Sequence, residues 1–588
     1  NAKDDSKRFV YDAVGRVVKV IDELGNSVKM EYDENGNVIK IKDAYDMIIT
    51  TTKYDNMNSP KTISDALDNQ VVSNYDSLGR LVEAVDQLNR RTKYTYDEMS
   101  RLIKVVDPLG GESSQTYDDE GNLTSYTDPN GNTTSYIYDV AGRLVNEVMA
   151  IGSERTYGYG KMNLLETFTN GRDQKTTYIY DAEMQLETFT DLVGTVEYSY
   201  DGNGNVVALT DEKGTITKEY DALNRITKYT DYKGNEIAYS YDVLGNLKTL
   251  TYPGGKIVRY EYDAASNLET VIDWEERKTE YEYDKNSRLI KTTNTNGTIQ
   301  TYIYNAAGQV LQQKDVDASG NIINQYDYSY DATGNVVVEK SSYEAQPYLV
   351  TNIVMTYDSG NRLITYNGQT VKYDADGNMI YGPLNGQMVD YTYDCRNRLI
   401  SVGNITYEYD AGNNRTEVVE SGESTEYIID SNAYLSKVLI QRDAEGQETY
   451  FVYGLGLIGH EDKEGYKTYH FDTRGSTTAI TDEKGILTDK FNYGPYGELV
   501  NHEGNTKTSF LYNGRDGVMT DNNGLYYMRA RYYNPEIKRF INQDILAGSI
   551  NDGRTLNRYA YVNGNPISLT DPFGLSPAIG GVGIVYRF

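Results

Sequence analysis

The sequence predicts an all-β protein, a long ribbon of antiparallel β-hairpins that coils on itself around an interior space. Three observations carry that prediction. A Tyr-Asp pair returns every 21 or 22 residues through the first third of the chain, Asp-x-x-Gly turns halve that period, and only 38% of the 588 residues are hydrophobic. Such a chain holds too few bulky apolar side chains to fill a solid core, so its sheet must enclose a wet space and leave only short edges.

The repeat begins at Tyr11-Asp12, Tyr32-Asp33, Tyr54-Asp55, Tyr75-Asp76, Tyr96-Asp97, Tyr117-Asp118 and Tyr138-Asp139. It continues through Tyr180, Tyr200, Tyr220, Tyr241, Tyr262 and Tyr283, each followed by Asp. At Tyr159 and Tyr304 the place is kept while Gly160 and Asn305 stand in for Asp. After Tyr330 the spacing loosens to 27, 16, 20 and 16, and the series ends at Tyr409-Asp410 with twenty copies.

Turns such as Asp12-Ala-Val-Gly15 and Asp128-Pro-Asn-Gly131 use Asp to cap backbone N–H groups two residues on and Gly to supply positive φ. Between turns lie strands such as Ser27–Tyr32, where Val28, Met30 and Tyr32 share one face and Ser27, Lys29 and Glu31 the other. Each repeat is therefore one hairpin, with turns along both edges of the ribbon. The bland reading of Tyr-Asp is structural: Tyr packs on the sheet and Asp makes the turn. Calcium binding needs converging oxygens and a bidentate carboxylate, and one Asp per turn falls short.

Composition narrows function. The aromatics are 58 Tyr against 10 Phe and 1 Trp, which suits surfaces half apolar and half wet. A lone Cys395 excludes an intramolecular disulfide, and three scattered histidines (His460, His470, His502) make zinc and other metal or cofactor chemistry a poor expectation. A net charge of −30 argues against nucleic acid as a partner. No apolar run approaches 18 residues, so no helical membrane span is expected. The chain opens on Asn1, and we read it as a segment of something longer.

From about Glu426 the rhythm gives way to motifs that do not recur. They are Tyr469-His-Phe-Asp472-Thr-Arg-Gly475, Tyr493-Gly-Pro-Tyr-Gly-Glu498, Gly524-Leu-Tyr-Tyr-Met-Arg529-Ala-Arg531-Tyr-Tyr-Asn-Pro535 and Arg539-Phe-Ile-Asn-Gln-Asp544, then Leu556-Asn-Arg-Tyr-Ala-Tyr-Val562, Asn565-Pro566 and Asp571-Pro-Phe-Gly-Leu575. In this order, after Tyr-Asp repeats, they resemble the Rhs/YD-repeat proteins and their Rhs-associated core domain, a group that includes bacterial polymorphic toxins, insecticidal toxin C subunits and teneurins.

The resemblance implies residues 1–425 as a YD-repeat β-shell, 426–575 as a core domain that plugs it, and 576–588 as a residual tail. It implies an extracellular shell, secreted or at the cell surface, that encloses its own C-terminal toxin, the cargo being absent or truncated in this sequence. Secretion machinery, an immunity protein or a cell-surface glycan or protein are further partners it implies. It also implies intramolecular aspartyl proteolysis, with Asp544 and Asp571 as the carboxylate pair, Arg529 and Arg531 as basic neighbours, and Leu575–Ser576 as the bond cut. Ile545 follows Asp544 where the family has proline. Paired carboxylates suit the chemistry, since one keeps a proton while the other activates water.

Two alternatives stay open at this point. Asp571-Pro-Phe-Gly574 is also an ordinary turn like Asp107-Pro-Leu-Gly110, so Asp571 alone reads as a turn cap. The alternative for the shell as a whole is a teneurin-like recognition scaffold that binds glycan or protein partners without catalysis.

Overall fold

The computed structural model describes residues 6–342, 352–575 and the backbone of 578–579. The described residues hold no α-helix, and three 3-10 turns supply their helical backbone: Gly514–Asp516, Gly553–Leu556 and Val562–Gly564. Thirty-two strands from Arg8 to Ser341 form one sheet, each pairing antiparallel with its neighbour in sequence. A three-stranded sheet spans Met355–Tyr357, Leu363–Tyr366 and Gln369–Thr370. Fourteen more strands run from Lys372 to Glu503, crossing Glu426 within the strand Glu423–Asp430. Beyond Glu503 the described strands are two to four residues long.

One hairpin explains the repeat. Asp12 Oδ1 accepts from the N–H groups of Val14 (3.0 Å) and Arg16 (2.9 Å), and Oδ2 accepts from Arg16 Nε at 2.7 Å. Gly15 takes φ 85° to close this turn. The Arg16 guanidinium then reaches the next repeat, donating to Asp33 O at 3.1 Å with its carbon 4.7 Å from the centre of the Tyr32 ring. Tyr32 sits at a register shift, where a bulge re-aims its side chain, and its hydroxyl donates to Val17 O at 2.7 Å. Tyr138 to Leu123 O and Tyr283 to Leu268 O repeat the bond. Where it is made, the hydroxyl ties a repeat to the one before it, a bond that Phe could not supply. Asn305 keeps the cap, accepting from Ala307 N and Gln309 N at 3.0 Å each.

The ribbon winds into a coil whose successive turns touch. Asn286 bonds Asp43 across 243 residues, Asn132 bonds Ser359 across 227, and Arg172 bonds Asp376 across 204. Further on, Tyr252 bonds Phe451 O across 199, Asn296 bonds Thr481 across 185, and Asn324 bonds Thr478 across 154. These bonds, 243 residues apart at Asp43 and 185 at Asn296, lay one turn of the ribbon against another.

Burial follows the coil. In the first turn Val28 remains 39% exposed although its strand alternates, whereas Ile237, backed by the inner sheet, is 0% exposed. The main core lies between these layers, from Val196 to Tyr328 on one side and from Leu363 to Ile541 on the other. The C-terminal segment packs against both and reaches the outer wall where Ile550 and Leu556 meet Val105.

Candidate functional site

The site forms where the short hairpin Tyr526–Met528 and Arg531–Asn534 meets the chain after Leu569–Thr570. Arg529 turns this hairpin with φ 56°, a left-handed conformation that costs a non-glycine residue stability and holds only where contacts fix it. Those contacts run in register. The Arg529 side chain donates to Pro572 O (2.6 Å), the Ala530 N–H to Phe573 O (3.1 Å), and Arg531 Nε to Gly574 O. Three consecutive residues thus grip three consecutive carbonyls just before Leu575. Gly574 takes φ +68°, and a Cβ there would lie 2.5 Å from Met528 O, so only glycine permits this approach.

Arg531 draws the carboxylates together. Its Nη2 lies 2.7 Å from Asp544 Oδ2 and 3.6 Å from Asp571 Oδ2, and its Nη1 donates to Arg558 O at 3.0 Å. Its guanidinium carbon sits 3.6 Å from the centre of the Phe540 ring, which covers the group from below. Burial pushes Arg531 down to about 10, against the opposing pull of Asp544 and Asp571. Burial raises the Asp544 carboxyl above the usual range, and Arg531 offsets part of that rise.

Asp571 also caps its turn. Its Oδ1 accepts the Leu575 N–H at 3.0 Å, the same i to i+4 bond that Asp12 makes to Arg16. In the repeats the second oxygen takes the side chain at i+4, Arg16 or Asn37 for example. Leucine at 575 has no such donor, and Oδ2 of Asp571 instead faces Arg531. Turn cap and carboxylate cluster are one arrangement.

The structure brings Asp544, Asp571, Arg531 and Leu575 together and sets Arg529 against the same turn through Pro572. Ser576 lies outside the described residues. Sequence reasoning passed over Arg558, whose Nε donates to Asp544 O at 2.8 Å while its own carbonyl accepts from Asp544 N at 2.9 Å. It also passed over Ser436, which receives Arg529 Nη2 on its carbonyl at 2.8 Å. Arg558 stood inside the Leu556-Asn-Arg-Tyr motif and was legible there; nothing near Ser436 marked it.

A coiled all-β shell built of Tyr-Asp hairpins, with a non-repeating C-terminal segment packed against it, defines a YD-repeat shell protein. Residues 160–300 and 291–567 match the teneurin YD-shell family, and 11–46, 75–112 and 117–153 match the RHS repeat. The chain belongs to the teneurin YD-shell family. The tRNA3(Ser)-specific nuclease WapA of Bacillus spizizenii is 29% identical over 315 residues, 49% of this chain and 11% of that protein. The double-stranded DNA deaminase toxin A of Burkholderia cenocepacia is 32% identical over 111 residues, 18% of this chain and 7% of that protein. The solved structure of TcdB2-TccC3 shares the fold, with a TM-score of 0.60 at 18% identity over 97% of this chain and 36% of its own. The chain spans about a tenth of the length of these curated relatives.

Proposed function

We propose that this chain is the wall and core of a secreted or surface toxin-delivery shell that encloses a polypeptide carried after Leu575 and detaches it by intramolecular aspartyl proteolysis. In this reading 1–425 form the wall and 426–575 the core that carries the site. The observation that carries it is the pairing of Asp544 and Asp571 across Arg531, with Asp571 bonded to the Leu575 N–H. The ionised carboxylate takes a proton from water, whose oxygen adds to the Leu575 carbonyl carbon, and the protonated one donates to the carbonyl oxygen. Collapse breaks the C–N bond, and the proton goes to the Ser576 nitrogen. Arg531 orients both carboxylates, and Arg529 and Arg531 hold the preceding carbonyls still, so high effective concentration suffices for a single turnover. Relatives described as a nuclease and a deaminase toxin support an enzyme as cargo.

Intact mass under denaturing conditions tests the proposal. The wild-type chain is expected to end at Leu575, and Asp544→Asn and Asp571→Asn to keep the residues that follow. A wild-type chain of full mass, identical in this respect to both variants, would leave the cluster as a structural clasp.

A further inference from the structure

A cavity of ≈ 470 Å³ opens beside the site and is lined by Leu575 together with Arg155, Arg396, Arg398, Arg529 and Arg531. Asp376 is the one acidic side chain on its wall, in a chain whose net charge is −30. Such a wall favours a negatively charged ligand wherever one of its arginines lacks a carboxylate partner.

Four of the five arginines already have carboxylate partners. Arg155 faces Glu147 at 3.5 Å, Arg396 faces Asp191 at 2.7 Å, Arg398 faces Asp394 at 2.7 Å, and Arg531 faces Asp544 at 2.7 Å. Arg529 has none within reach among the described residues; it donates to Pro572 O, Ser436 O, Ser436 Oγ and Asp516 O. A guanidinium bonded to carbonyls and a hydroxyl, with Asp516 acting on it only from beyond ion-pair distance, keeps a charge that a contacting anion would stabilise. Its bond to Pro572 sets it three residues before Leu575, on the wall that Leu575 shares.

We propose that this cavity is a product site, in which Arg529 binds the C-terminal carboxylate that hydrolysis creates at Leu575. The inference rests on the proteolytic reading above and adds a consequence to it. Before the cut, Leu575 offers a neutral peptide carbonyl; after it, a full negative charge. The pairing therefore stabilises the cut state over the uncut one, keeps the new end of the shell seated among the arginines, and holds the carboxylate away from the departing amine.

A chain ended at Leu575 by a stop codon presents that carboxylate whether or not the dyad cuts, so failure of proteolysis and failure of the product site read differently. Carboxypeptidase is the probe and free leucine the readout. The folded wild-type sequence is expected to release leucine slowly, and Arg529→Gln to release it on the order of tenfold faster, the change that one charge partner makes to a carboxylate's binding equilibrium. Equal release from the two, with matching circular dichroism spectra, overturns the proposal. Should Arg529→Gln not fold, the unsubstituted sequence prepared with a Leu575 carboxylate or a Leu575 carboxamide decides. The carboxylate form is expected to melt at the higher temperature, and coincident melting overturns the proposal.

Discussion

Asp12-Ala-Val-Gly-Arg16 and Asp571-Pro-Phe-Gly-Leu575 are the same turn in two settings. In each, the Asp Oδ1 accepts the N–H four residues on and a glycine takes positive φ. At Asp12 the fifth residue is Arg, which neutralises the second oxygen and stitches the turn to the next repeat. At Asp571 the fifth residue is Leu, and the charge comes instead from Arg531, a residue 40 positions earlier that also serves Asp544. The difference teaches that one turn can hold its aspartate in two ways, by a local charge partner or by a shared one, and the proposed function rests on the second.

The largest effect should come from separating the two roles. Asn caps such turns, as Asn305 does, so Asp12→Asn and Asp571→Asn should both fold. Only Asp571→Asn should abolish cutting after Leu575, since an amide cannot share the dyad's proton; intact mass reads the result. Next, Leu575→Arg would restore the repeat pattern by giving Asp571 a local partner. Cutting should slow by roughly tenfold to a hundredfold as Arg531 loses its hold on Asp571. An unchanged time course in freshly translated chain would break the comparison.

Ion pairs sharpen it further. Arg415, fully buried, donates to both Asp521 oxygens at 2.9 Å and ties the shell to the C-terminal segment amid four tyrosines. Asp521→Asn strands that charge and should cost roughly 3–5 kcal/mol in denaturant unfolding. Arg16→Ala removes a half-exposed pair and should cost about 0–1 kcal/mol.

The pH dependence of the two kinds of aspartate runs in opposite senses. Backbone hydrogen bonds, led by Arg16 N–H, hold Asp12 below the usual carboxylate range, so turns of this kind lose their contribution as pH falls. Burial pushes Asp315, inside the strand Val310–Val316, up to about 8, with Gln300 and Asn324 pulling it back. Its folded-state value lies above its unfolded one, so it lowers stability progressively from about pH 4 to 8 and fully above that. Melting curves of Asp315→Asn across that window should be flatter than wild type. Tyr283→Phe, which deletes a 2.7 Å bond to Leu268 O, should cost about 1 kcal/mol.

Much of this was legible beforehand. The Asp and Gly positions marked turns at both edges, because their chemistry is local and needs no neighbour from elsewhere. The motifs named Asp544, Asp571, Arg529 and Arg531, and these meet in the structure. Alternation in Ser27–Tyr32 gave the strand's two faces but not how far either is covered; Val28 stays 39% exposed, since cover comes from another turn of the ribbon. The Tyr hydroxyl bond to the preceding repeat was missed for a related reason: it depends on a bulge, which the spacing alone does not reveal.

By itself the sequence determined the hairpins and their period, because each is set by contacts within about one repeat, while the site residues were named through the resemblance of their motifs. Only the tertiary structure decided which turns meet across 243 residues and which across 154, and that Asp571 should face Arg531 and Asp544. The physical reason is accumulation. A small twist between neighbouring strands, summed over an entire turn of the coil, sets the pitch, and no single repeat encodes that sum.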